Sequence, residues 1–204
     1  MVRVVGEAGD GLEVLRLVSR LKPALVFVNI AIPGLDGLEV TRRIKKRLPN
    51  TRVIVVSRQV KEAYAAEAIR SGALGYVTTR ARLTELLEAI GSSFRDEPYV
   101  SAPLSQERVE AALRKSEGVV TDAYEELTAR EREVFHLAAE GYSSARIARR
   151  LSISPRTAEA HRANAMRKLG LGSQAALIRY AAERGFLPPL SLTERTRYNG
   201  KRKS

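Results

Sequence analysis

The chain has 204 residues, 35 Lys+Arg against 23 Asp+Glu, a formal net charge of +12, and neither Cys nor Trp. That length fits one or two domains with a core of their own, and the missing Cys excludes disulfides, thiol nucleophiles and Cys-rich zinc sites. With only His136 and His161, a His-rich metal site is excluded too. The longest apolar run, Ala24 to Ile32, is interrupted by Asn29 and too short to span a bilayer. The start, Met1-Val-Arg-Val-Val, is not a signal peptide, because Gly6, Glu7 and Asp10 follow at once. A cytoplasmic protein with no membrane partner and no cofactor is expected. The basic balance points to an anionic partner without naming it.

The first half alternates strands and helices. Val2 to Val5 is a short β-branched run, followed by a helical period at Leu12, Leu15, Leu17, Val18 and Leu21. Ala24 to Val28 reads as a buried strand ending at Asn29. Gly37 to Leu48 reads as a helix, Arg52 to Ser57 as a strand, and Lys61 to Ser71 as a helix stopped by Gly72. Leu74 to Val77 is a strand and Arg82 to Ile90 a helix. Continuous apolar strands between amphipathic helices predict an α/β, doubly wound parallel sheet covered on both faces. The Gly6, Gly9 and Gly11 cluster is a plain β–α turn: its order is G-x-x-G-x-G, not a dinucleotide fingerprint.

Residues 91–123 carry a slight acidic excess with Gly91-Ser-Ser, Pro98 and Pro103, and read as a linker around a helix near Gln106 to Lys115. The second half is helical. Thr128-Ala-Arg-Glu131 is a capping box that opens a helix to about Glu140, with Val134, Leu137 and Ala138 inward. A second helix runs from Ser144 to Leu151. Ser154 caps a third, with Pro155 at its first position. Ser173 caps a fourth that ends near Arg184. At about 100° per residue, Ala158, His161, Ala165 and Leu169 share one face of the third helix. Arg156, Glu159, Ala160, Ala163 and Arg167 share the opposite one, flanked by Asn164. An apolar back and a low-relief, Arg-edged front suit the major groove.

Two resemblances follow from these residues. VVGEAGDG (4–11), VNIAIPGLDG (28–37), VIVVS (53–57) and GALGYVTTR (72–80) are similar to the receiver domain of two-component response regulators. LTAREREV (127–134), AEGYSSARIARRLSISPRTAEAHRANAMRKLGL (139–171) and the last helix resemble the LuxR-type (NarL/FixJ) helix-turn-helix domain. The implied organisation is a receiver-like domain at 1–94, a linker at 95–123, an all-α four-helix DNA-binding domain at 124–188, and a basic disordered tail at 189–204. The resemblance implies a flavodoxin-like receiver that begins at the family's second strand and lacks the first strand and helix. The absent strand would be interior, so either its two neighbours pair or the sheet splits. A start codon assigned too late is the favoured explanation.

In that family an Asp accepts a phosphoryl group and helps to hold Mg²⁺; here the position is Asn29. Ser57 keeps the hydroxyl, Tyr76 matches the switch residue, and Thr79 replaces the Lys. A neutral amide is no phosphoryl acceptor and a poor ligand for a hard cation. Aspartyl phosphorylation is therefore not expected. By the family pattern Glu159, Ala160 and Ala163 face the groove, Glu159 accepting from a cytosine amino group and the alanines touching thymine methyls. Arg156, Thr157, Arg162, Arg167 and Lys168 are phosphate contacts, with Ser154 capping a helix end that also points at a phosphate. Leu177, Tyr180 and Ala181 form the dimer contact. Bland alternatives stand beside these: Glu159 paired with Arg156 or Arg162, His161 as a core residue, and Leu177 and Tyr180 as ordinary core.

The expected function is a DNA-binding transcription regulator, a homodimer on DNA, with a sensor kinase or another regulator as further partner. The alternative is a receiver-like interaction protein that sequesters a kinase or regulator. No nucleophile–base pair, metal cluster or phosphate loop speaks for an enzyme, and the receiver-like half argues against a sigma-factor helix-turn-helix.

Overall fold

The computed structural model describes residues 2–115, 123–124 and 126–187. The tail expected over 189–204 and residues 116–122 of the expected linker lie outside them. The first half has α1 (Gly11–Leu21), β1 (Leu25–Asn29), α2 (Gly37–Arg47), β2 (Arg52–Ser57), α3 (Glu62–Arg70), β3 (Gly75–Thr78), α4 (Leu83–Phe94), β4 (Tyr99–Val100) and α5 (Gln106–Lys115). The second half has α6 (Ala129–Ala139), α7 (Ser144–Leu151), α8 (Pro155–Lys168) and α9 (Gln174–Glu183).

The strands form one parallel sheet in the order β1-β2-β3-β4. Val26, Val28, Val53 and Val55 face a core with α1, α2 and α3, while Ile54 and Val77 face Ala89 of α4. Helices therefore cover both faces, as continuous apolar strands require. Helix starts follow side-chain caps: Asp10 for α1, Asp36 for α2, Thr128 for α6, Ser154 for α8 and Ser173 for α9. Gly37 opens α2 where a Cβ would overlap the Asn29 carbonyl, so the helix can start directly against the end of β1.

Two expectations are corrected. Val2 to Val5 forms no strand; Val2, Val4 and Val5 are exposed, and Gly6 passes against Leu17 and Leu21 of α1. The segment neither pairs with β1 nor splits the sheet. It stays outside, and β1 is an edge strand with Phe27 40% exposed. A four-residue run without a hydrogen-bonded neighbour has little to hold it extended. The second correction concerns the linker. Tyr99 and Val100 add a fourth strand beside β3, and α5 packs on α3, so the first domain continues to about residue 115.

Among the described residues no helix is long and apolar enough to cross a membrane, and no group of three or more His, Cys, Asp or Glu is placed to hold a metal.

Candidate nucleic-acid interface

α7 and α8 are joined by a tight turn in which Ser152 adopts φ 55°. Ile147, Ala148 and Leu151 of α7 and Ala158 and Ala165 of α8 are buried where these two helices pack on each other and on α6. Ser154 Oγ accepts the Thr157 N–H at 3.0 Å, which fixes the start of α8. With Ala158 and Ala165 inward, α8 lies close on its scaffold and turns its other face outward. Ser154, Arg156, Thr157, Glu159, Ala160, Ala163, Asn164 and Arg167 are all exposed in the full chain. The first half does not cover this face. Glu159 makes no ion pair with Arg156 or Arg162 among the described residues, so its carboxylate is available to a ligand. His161 is half-buried at the side of the helix.

Arg162 and Lys168 depart from expectation. Arg162 bonds to Gln174 of α9. Lys168 Nζ reaches Glu131 Oε2 at 2.7 Å and the Glu126 carbonyl at 3.0 Å. Burial alone would raise the Glu131 pKa; its hydrogen bond with Lys168 overcomes this and lowers it. Both cations are half-buried and tied into the module. The dimer surface is corrected as well. Leu177 and Ala181 are fully buried, and Tyr180 packs edge-on against Phe135 at 5.9 Å. The residues of α9 that face outward are Ala175, Ile178, Arg179, Ala182 and Glu183. An apolar periodicity marks a buried face but does not say whether the cover is the same chain or another.

The structure brings Asn29, Ser57 and Thr79 to the C-terminal ends of three neighbouring strands. Asn29 Oδ1 accepts the Ala31 N–H at 2.9 Å and Ser57 Oγ the Gln59 N–H at 3.1 Å. Tyr76 is fully buried and donates to the Gln59 carbonyl at 2.9 Å; burial pushes its hydroxyl up to about 12. The side chains at this edge are thus held in local turns.

The residues that sequence reasoning missed lie between the halves. Every residue from Glu131 to Ala139 is buried, charged ones included. Asp36 spends Oδ1 on the N–H groups of Leu38 and Glu39, at 2.8 and 3.0 Å. Its Oδ2 accepts from the Tyr124 hydroxyl at 2.8 Å and lies 2.8 Å from His136 Nε2. Burial would raise its pKa, but the His136 interaction, with the Glu39 and Tyr124 hydrogen bonds, holds it far below the ordinary carboxylate range. Beside this triad Glu39 takes Arg43 and Arg132, each at 2.8 Å, and Arg43 reaches Glu133 at 2.6 Å. The only sequence signal was the density of charge on α2 and α6, which reads equally well as two solvated faces.

A parallel α/β domain buttressing a helix-turn-helix, whose second helix is open, defines a two-domain regulatory protein of the DNA-reading class. Comparison with known proteins narrows this. Residues 1–91 match the model of the response regulator receiver domain, and residues 125–181 that of the bacterial regulatory proteins of the luxR family. The chain is 33% identical over 190 residues to the oxygen regulatory protein NreC of Staphylococcus aureus, across 91% of this chain and 88% of that one. RcsB from Salmonella enterica serovar Typhimurium, solved on promoter rprA in the presence of the phosphomimetic BeF3-, has a TM-score of 0.55 at 25% identity, covering 89% of this chain and 86% of that one. The chain belongs to the two-component response regulators with a LuxR-type DNA-binding domain.

Proposed function

We propose that this chain is a transcription regulator that binds a short inverted-repeat DNA site as a homodimer and is not switched by aspartyl phosphorylation. The observation that carries it is the outward face of α8: Arg156, Glu159, Ala160, Ala163 and Arg167 stay open with both halves present. Glu159 and the two alanines read base edges, and Arg156, Thr157 and Arg167 hold phosphates. The RcsB structure on a promoter supports the DNA assignment by analogy. The outward side of α9, centred on Ile178, is the dimer contact consistent with the burial pattern.

The receiver edge supports a scaffold and not a phosphoswitch. Asn29 offers a neutral amide whose oxygen already accepts a backbone N–H. Thr79 stands where the family has a Lys and supplies no cation. The Mg²⁺ that the family implies does not fit this donor set.

Titrating labelled duplex against the full chain tests the DNA assignment. Arg167→Ala is expected to weaken all sequences about equally and reduce the salt slope by about 1. Ala163→Lys is expected to change which sequence is preferred. Unchanged binding in both variants refutes the groove assignment.

A further inference from the structure

Three helices of the second half meet at one side chain. Gln174 is the first residue of α9, directly after the Ser173 cap. Its Oε1 accepts from Arg162 Nη2 on α8, and its Nε2 donates to the Ala138 carbonyl at the end of α6, at 2.6 Å. That carbonyl also accepts the Gly141 N–H at 3.0 Å, so both of its lone pairs are used. A primary amide carries an acceptor and a donor on one planar group, and these two partners take one of each. A Glu in its place would suit Arg162 and repel the carbonyl. A Lys would do the reverse, and an aliphatic side chain would serve neither.

The tie falls where packing constrains α8 least. The buried residues of α8 are Ala158 and Ala165. Alanine methyls make shallow ridges, and shallow ridges do little to fix the rotation of one helix on another. Polar ties flank them. Arg162 stands three residues before Ala165 and Lys168 three after it, so at about 100° per residue they lie about 60° to either side of the inward direction. Lys168 reaches Glu131 in the first turn of α6, while Arg162 reaches the last turn of α6 through Gln174. Together the two ties hold α8 against turning either way. A turn of about 20° would move a group about 5–6 Å from the helix axis by about 2 Å. Hydrogen bonds to base edges do not survive such a shift, whereas phosphate contacts carry no sequence information to lose.

We propose that Gln174 is the positioning residue that sets the rotation of the groove helix, and that Arg162 acts through it and not by holding a phosphate. This rests on reading α8 as the groove helix. Both residues are half-buried, and Gln174 stands on α9, so its effect reaches DNA only through α8. Loss of either frees α8 to turn. That removes sequence preference and spares the affinity that phosphates supply.

The experiment titrates the full chain with two duplexes across a salt series, one selected by this chain from a randomised pool and one of scrambled sequence. Thermal unfolding is the fold control. Gln174→Met is expected to lower the ratio of the two affinities about tenfold, the weight of one misread base pair, and to leave the salt slope unchanged. Arg162→Met is expected to do the same. The double variant should lose no more than either single one, because the two side chains act as a unit. If Arg162→Met instead flattens the salt slope by about 1 and weakens both duplexes equally, Arg162 holds a phosphate, and the proposal is overturned while the α8 assignment stands. An unchanged ratio for Gln174→Met also overturns it. So does an equal loss on both duplexes with a lower unfolding midpoint, which marks a merely structural residue. If Arg167→Ala and Ala163→Lys are without effect as well, the α8 reading falls with it.

Discussion

Asp36→Ala removes the N-cap of α2 and the acceptor shared by Tyr124 and His136. The cap contributes about 1 kcal/mol. A buried polar group left without its partner costs about 1–3 kcal/mol. The Tyr124 hydroxyl and His136 Nε2 lie 2.6 Å apart and still satisfy each other, so one stranded group is the fair count, not two. The expected loss is about 3 kcal/mol. Asp36→Asn keeps the cap and an acceptor but not the charge, and should cost about 1–2 kcal/mol. Urea unfolding followed by far-ultraviolet circular dichroism measures both. Asp36 joins α2 to Tyr124 and α6, so Asp36→Ala should also split a single transition into two. A cost below about 1 kcal/mol, or the same cost for Asn and Ala, refutes the view that this carboxylate locks the halves together.

Acid should weaken the same contact. The Asp36 pKa is lower folded than unfolded, so its contribution is complete above about pH 4 and fades as pH falls below that; Asp36→Asn should flatten the acid limb of stability against pH. Glu39→Ala removes the buried carboxylate that Arg43 and Arg132 share, and should cost about 3–5 kcal/mol in the same unfolding measurement. Leu177→Ala opens a cavity inside the second half and should cost about 2–5 kcal/mol. Ile178→Arg, on the exposed side of α9, should leave unfolding within about 0.5 kcal/mol while weakening dimerisation on DNA, read by analytical ultracentrifugation with duplex present.

The elements that sequence revealed best were those with strong local signals. Arg52–Ser57, Ser144–Leu151 and Gln106–Lys115 appear with the expected bounds, because apolar continuity and helical spacing are set within each segment. The α8 wheel was readable for the same reason: Ala158 and Ala165 are buried, and Glu159 and Ala163 are not. What failed depended on distant partners. Val2–Val5 had strand composition but no neighbour. Tyr99–Val100 was too short to show a period, yet found an edge on β3. Arg132, Glu133 and His136 gave no local sign of burial, because the carboxylate and guanidinium groups that pair with them lie on α2 and its N-cap, 90 to 100 residues away. Leu177 and Ala181 showed an apolar face correctly, but its cover is α6 and not a second subunit.

The most direct test of a regulator that works without aspartyl phosphorylation combines two readings on one sample. The full chain is incubated with acetyl phosphate and Mg²⁺, then its intact mass and its affinity for duplex DNA are measured. Asn29 in place of an acceptor predicts no mass increase of one phosphoryl group and an unchanged affinity. A phosphoryl adduct within residues 1–94 that comes with tighter DNA binding would contradict the account.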